Sequence, residues 1–309
     1  MNTLREAVDE YLFVRRDLGF KLIQAAGWLR DFAGFMEQQQ ATVITTELAL
    51  QWAMQCPHAQ PATWATRLAT IRRFACYHRN QDPRTEIPPR GLLPHRPRHA
   101  KPYRYTDENI AQLLQATAAL PSAKGLRARS YRCLFGLLTV TGLRIGEALA
   151  LQREDVDLHT GLLTIRGAKF GKSRLVPLHR STQDALLAYA EYRDRVLGDA
   201  VTGCFFVSEQ GQPLTASAAR RTFQTLCRQL GLRGSAEYDA PQLHHFRHRF
   251  ATETLLQGYR SDQDLERLLP VLATFLGHAQ VSATYWYLSA QPALMAQALH
   301  RLAGYWEPR

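Results

Sequence analysis

The sequence predicts a mainly α protein: an all-helical N-terminal domain, then a mostly helical second domain carrying one small antiparallel β-sheet. Three observations support this. Apolar residues recur at helical spacing through 1–80, as in Leu4, Val8, Tyr11 and Leu12. The pattern breaks between 83 and 102 at Pro83, Pro88, Pro89, Pro94, Pro97 and Pro102, a density that no helix tolerates. Farther on, L-L-T-I-R-G (162–167) and S-R-L-V-P-L (173–178) read as two strands around a turn containing Phe170-Gly171, among helical segments.

In the first domain, 1–80, helices are expected near 3–18, 22–39, 46–55 and 62–79. The fourth carries Arg67, Arg72, Arg73 and Arg79 beside Trp64, Leu68, Ile71, Phe74 and Ala75. One face is expected to pack and the other to touch phosphate, with a merely solvated cationic face as the alternative. Residues 81–105 read as an extended interdomain linker. Its Arg96, Arg98 and Lys101 are candidates to follow a DNA backbone. In the second domain, 106–290, Thr106 is a hydroxyl N-cap followed by Asp107 and Glu108 in the first turn. Helices are expected near 107–119, 127–140, 181–196, 215–229, 243–257, 264–276 and 281–288, with C-F-F-V (204–207) as a short extra strand. A last helix near 292–303, within the C-terminal segment 291–309, shows Leu294, Met295, Ala298, Leu299 and Leu302 as an apolar stripe.

Composition narrows the partner. The 309 residues are 46% apolar, enough for real cores, and carry a net charge of +11. A basic globular chain of this kind usually meets a polyanion. Lys21, Lys101, Lys124, Lys169 and Lys172 are the only lysines, so the excess is almost all arginine. Genomic base composition explains that bias as well as the guanidinium's fit to phosphate does. Cys56, Cys76, Cys133, Cys204 and Cys227 are scattered without a C-x-x-C pair, which fits a reducing compartment and neither zinc nor disulfides. With no apolar signal core or membrane-length run, the expectation is a cytoplasmic, nucleoid-associated protein with no membrane partner.

The chemistry sits in four phrases: T-G-L-R-I-G-E (141–147), G-A-K-F-G-K-S-R-L-V-P-L (167–178), H-H-F-R-H (244–248), and L-G-H (276–278) followed by T-Y-W-Y (284–287). Together they supply Arg144, Lys169, His244, Arg247, His278 and Tyr287. Fixed cations for phosphorane oxygens, a proton donor for a leaving oxygen and a phenol nucleophile suit attack on a phosphodiester. No carboxylate cluster that would hold magnesium accompanies them. His244 and Arg247, three apart, project to one side of a helix. Glu147, one turn beyond Arg144, is its candidate partner. The histidine run 244–248 lacks the carboxylate or cysteine that zinc would want, so neither metal nor cofactor is expected. Tyr285 and Tyr287 are about 200° apart on a helix, so only one can face the phosphate.

These phrases, in this order, resemble the tyrosine recombinase (phage integrase) family, which includes the Xer recombinases. The resemblance covers roughly 105–290, while 1–80 agrees only in being a basic helical domain joined by a linker. The T-Y-W-Y-L-S-A ending and the long segment before L-G-H look most like members carried by transposons and integrative elements. The resemblance implies a SAM-like core-binding domain at 1–80 and the tyrosine recombinase catalytic fold beyond it. Arg144 then matches the arginine that grips the scissile phosphate. Aligning L-V-P-L puts the catalytic lysine at Lys169, with Lys172 competing. His244 and Arg247 match H-x-x-R, and His278 is the second histidine. Tyr287, nine residues after His278, has the spacing of the nucleophile, with Tyr285 as its rival. His248 is a structural match. Lys172, Arg174 and Arg249 are candidate DNA contacts. His244 and His278 stand 34 residues apart, more than in compact members, and the surplus is 258–270.

The implied activity is cutting and rejoining of double-stranded DNA at a specific site through a 3′-phosphotyrosyl intermediate and a Holliday junction. It would need no ATP, as the absence of a phosphate-binding G-x-x-x-x-G-K loop also suggests. A homotetramer on paired sites, or an assembly with a related recombinase, is the expected partner state, with the C-terminal helix exchanged between protomers or packed on its own domain. A type IB topoisomerase and a catalytically silent DNA-binding protein are the alternatives.

Overall fold

Thr3 starts the first helix. Its hydroxyl accepts the Glu6 N–H while the Glu6 carboxylate accepts the Thr3 N–H, a reciprocal cap that satisfies two donors stranded at a helix start. In this computed structural model, which describes residues 3–57, 59–93, 101–167, 173–198, 202–261 and 263–289, the chain divides into two units, residues 1–99 and 100–309. The first contains α1 (Leu4–Asp17), α2 (Ile23–Gln38), α3 (Thr46–Met54) and α4 (Pro61–His78). Thr45 caps α3, and Pro61 opens α4 in the first turn, where a missing N–H costs nothing. Their apolar stripes meet in one core that includes Val8, Leu12, Leu29, Phe32, Trp52 and Phe74.

Two expectations about this unit need correction. Arg67 does not face outward. It is 6% exposed, its guanidinium lies 4.0 Å from the Trp52 ring centroid, and it donates to the Trp52 carbonyl and the Cys56 sulfur. A buried guanidinium with these partners serves the core and has no face left for phosphate. Arg72 is half-buried and donates to the Pro88 carbonyl at 2.9 Å, whereas Arg73 and Arg79 are exposed. The proline-rich stretch is also not extended throughout, since the chain turns at Pro83-Arg84 and at Arg90-Gly91. Glu86 accepts the Thr46 N–H and gives its own N–H to Ile44, and Leu93 packs on the helical core. Arg96 and Arg98 lie outside the described residues.

The second unit opens on α5 (Asp107–Ala116), capped by Thr106 and continued by a 3₁₀ turn at Thr117–Ala119. Then follow α6 (Leu126–Thr141), α7 (Ile145–Ala150), and strands β1 (Val156–Asp157), β2 (Leu162–Ile165) and β3 (Arg174–Pro177). The sheet is antiparallel in the order β1-β2-β3, with Leu163 opposite Val176 and Ile165 opposite Arg174. The short β1 has no period long enough to be read from sequence. Residues 204–207 form isolated bridges, Gln152 to Cys204 and Val207 to Pro213, rather than the expected strand.

Helices α8 (Arg180–Leu197), α9 (Ala216–Gln229), α10 (His244–Arg260), α11 (Leu265–Leu276) and α12 (Ser282–Ser289) complete the unit. The main core joins α6, the sheet, α9 and α10 through Phe135, Leu163, Val176, Phe223 and Phe246. A second cluster, Ala251, Leu255, Leu269, Leu272, Leu276 and Tyr287, binds α10, α11 and α12. The 258–270 surplus lengthens α10 to Arg260 and starts α11, which keeps Pro270 in its interior. The helix expected near 292–303 lies outside the described residues. Among the described residues, no helix is long and apolar enough to cross a membrane.

Candidate active site

Helix α6 ends at Gly142, whose φ of +60° is a left-handed conformation suited to glycine. A Cβ there would come 2.7 Å from the Phe250 ring. This tight turn brings Arg144 to the start of α7. The Arg144 N–H donates to Glu147 Oε2 at 3.0 Å and its Nη1 to Oε1 at 2.8 Å. Arg174, on β3, meets the same carboxylate from the other side at 3.2 and 2.9 Å. Burial pushes the Glu147 carboxyl up, but hydrogen bonds from Arg174 and Arg144 outweigh it and hold the group below the ordinary range. The expected pairing of Arg144 with Glu147 is present, and Arg174, expected on DNA, is turned inward.

Arg247 stands on the buried side of α10 and is 1% exposed. It donates to the carbonyls of Gly142 at 2.9 Å and Leu276 at 2.6 Å, joining the ends of α6 and α11. Tyr287 lies near enough to bear on its charge. Burial, then the charge of Arg144, pulls this guanidinium below its ordinary value, while Tyr287 and Glu147 oppose the shift. Tyr287 itself is 4% exposed, against 53% for Tyr285. Its ring stacks at 14° and 5.9 Å on His278 and meets His248 edge-on at 5.3 Å.

The histidines divide by position. His278 follows the left-handed Gly277 that ends α11, and its Nδ1 lies 2.8 Å from the Thr284 hydroxyl. Partial burial, then Arg247, Arg144 and Arg174, lower it to about 4, so the ring is neutral near pH 7. His244 is accessible to solvent on one side. The protein crowding its other side, then the charges of Arg247 and Arg144, lower it as well. A neutral imidazole can take a proton. His248 is pushed down to about 3 by burial and by its histidine neighbours. His245 points away: its Nδ1 accepts the Tyr103 N–H at 3.2 Å, a bond that fixes the start of this unit. Among the described residues, no three His, Cys, Asp or Glu side chains converge as a metal site.

Five of the six candidate catalytic residues thus gather around one cationic site: Arg144, His244, Arg247, His278 and Tyr287. Lys169 lies outside the described residues, as does Lys172. Of the remaining candidate DNA contacts, Arg249 is engaged by Asp107 and the Tyr105 carbonyl, and Lys101 pairs with Glu237. Thr284 was not singled out from sequence, although it stands in the T-Y-W-Y phrase six residues after His278. The carbonyls that hold Arg247 have no sequence signal, because every residue has a carbonyl.

Comparison with known proteins identifies the family. A family model described as the phage integrase family matches residues 104–293. A putative integrase/recombinase of Sinorhizobium fredii (y4rB) is 50% identical over 313 residues, spanning 100% of both chains. The tyrosine recombinase XerD of Caulobacter vibrioides is 31% identical, covering 91% of this chain and 90% of that protein. Among solved structures, the Tn1549 transposon integrase in complex with a circular intermediate DNA superposes with a TM-score of 0.66 at 16% identity, over 98% of this chain and 100% of that one.

Proposed function

The chain belongs to the phage integrase family of tyrosine recombinases, and on that premise we propose that it recombines double-stranded DNA at a specific site. Tyr287 is the nucleophile. Its phenol oxygen attacks the scissile phosphorus and the bond to the 5′ oxygen breaks, leaving a 3′-phosphotyrosyl ester and a free 5′-hydroxyl. His244 takes the phenol proton and Lys169 gives one to the departing oxygen. Arg144, Arg247 and His278 face the non-bridging oxygens, where fixed donors in a water-poor site lower the barrier most. A 5′-hydroxyl from a second strand then reverses the step. The ester conserves the bond, so exchange proceeds without ATP, through a Holliday junction on a tetramer assembled over paired sites. The identity with a putative integrase/recombinase supports integration, excision or transposition of a mobile element as the setting, and the +11 charge supports the DNA partner.

One observation carries the assignment of the nucleophile. Tyr287 is buried with its ring against His248 and His278 and bears on the charge of Arg247, while Tyr285 is largely exposed. The test is covalent capture: nicked duplexes with a randomised core are incubated with the protein, and those that become attached are sequenced. Wild-type protein should capture a defined sequence by its 3′ end. Tyr285→Phe should keep the adduct, whereas Tyr287→Phe should bind the selected duplex without forming it. An adduct mapped to Tyr285 would overturn the assignment. Capture without strand exchange between two sites would favour a topoisomerase.

A further inference from the structure

Building on the recombinase reading, we propose that Arg174 is a positioning residue for DNA cleavage: one guanidinium fastening strand β3, the Glu147 carboxylate and the turn before His278 into a single frame. Its charge suggests a phosphate contact, but the side chain is only 9% exposed. Three of its nitrogens are committed. Nε donates to the Phe275 carbonyl at 2.8 Å, and Nη1 and Nη2 grip the two Glu147 oxygens. Those same oxygens hold the Arg144 side chain and backbone N–H. Arg144 therefore keeps its direction only while Glu147 stays in place, and Arg174 braces Glu147.

The second attachment is at Gly277, the residue before His278. A Cβ there would come 2.6 Å from Arg174 Nη1, so the bare backbone is what lets the guanidinium lie on this turn. Arg174 also begins β3 opposite Ile165, the last residue of β2, so it sits where the connection between the two strands joins the sheet. The fork geometry is specific to arginine; lysine offers the same charge from a single point. Four charged or titratable groups bear on Glu147: Arg174, Arg144, Arg247 and His278. Arg174 opposes the burial of that carboxyl most strongly. Without its fork, Glu147 takes up a proton at higher pH and releases Arg144.

The experiment measures single-turnover adduct formation against pH, on a nicked duplex selected by wild-type protein, with Arg174→Lys, Arg174→Ala, Glu147→Gln and the Glu147→Gln/Arg174→Lys double variant. Arg174→Lys should cut the rate roughly 10- to 100-fold, the scale for losing a charge-assisted bond that orients a reacting group. Its acid limb should move to higher pH while affinity for the duplex is retained. The double variant should be no slower than the slower single one, because both act through Glu147. If Arg174→Ala melts out, Arg174→Lys decides the matter alone. Three results would overturn the proposal: a wild-type rate in Arg174→Lys, a loss confined to DNA affinity, or a lower melting temperature with rate and pH profile unchanged. No adduct with wild-type protein would instead remove the underlying recombinase reading.

Discussion

Arg144 and Arg247 carry the same charge in the same site yet are built differently, so their removal separates chemistry from stability. Arg144 is partly open to solvent and rests on Glu147, which Arg174 holds independently. Arg144→Ala should slow adduct formation about 10²-fold or more, the usual scale for one charge-stabilising donor, and leave thermal melting nearly unchanged. Arg247 joins two helix ends through the Gly142 and Leu276 carbonyls. Arg247→Ala should lose as much rate and also about 1–3 kcal/mol of stability, because buried carbonyls are left without donors. Denaturant melts alongside single-turnover cleavage would show the split. Fast cleavage by either variant would contradict its role. At this scale, motif spacing made the catalytic candidates legible in the sequence. It misled for Arg67 and Arg174, because a cation's partner is not encoded by its neighbours in the chain.

At the scale of elements, the site depends on how two helices end. Gly142 closes α6 and Gly277 closes α11, both left-handed, and the two turns supply backbone to Arg247 and room to Arg174. Gly142→Ala should cost about 1–3 kcal/mol through a strained φ and a clash with Phe250. Gly136, inside the same helix with nothing within 4 Å of an added Cβ, is the control. Gly136→Ala should stabilise by roughly 0.5–1 kcal/mol through backbone entropy. Urea unfolding of both variants tests this, and shifts of the same sign would refute it. The helices themselves were readable from periodicity and caps. The two-residue strand β1 was not, and at 204–207, where the pattern suggests a strand, the backbone makes only isolated bridges, because such short pairings are set by whatever backbone comes to lie beside them.

At the scale of the whole molecule, the second unit holds three histidines neutral: His245 and His278 at about 4 and His248 at about 3, against an ordinary 6.5. Burial is the leading cause for each. An unfolded chain takes up these protons as pH falls through 6.5, whereas the folded one waits until 4 or below. Their contribution to stability is therefore complete above pH 6.5 and lost progressively as the pH falls toward 4. Melting temperature should drop between pH 7 and 5. His245→Gln, which keeps an acceptor for the Tyr103 N–H, should flatten that slope. A melting temperature constant across this window would show that these rings are already charged in the folded protein.

The sequence by itself determined the helical class, the single small sheet and the order of the chemical phrases, because periodicity, caps and motif spacing are local properties. It also set Tyr287 and Tyr285 on opposite faces of one helix, without deciding between those faces from geometry. Only the tertiary structure brought Tyr287 against Arg247, His248 and His278, turned Arg67 into a core residue and gave Arg174 to Glu147. Those outcomes depend on where elements separated by tens of residues come to rest. A buried guanidinium is stable only where carbonyls and carboxylates from several elements converge on it, and folding the chain creates that convergence.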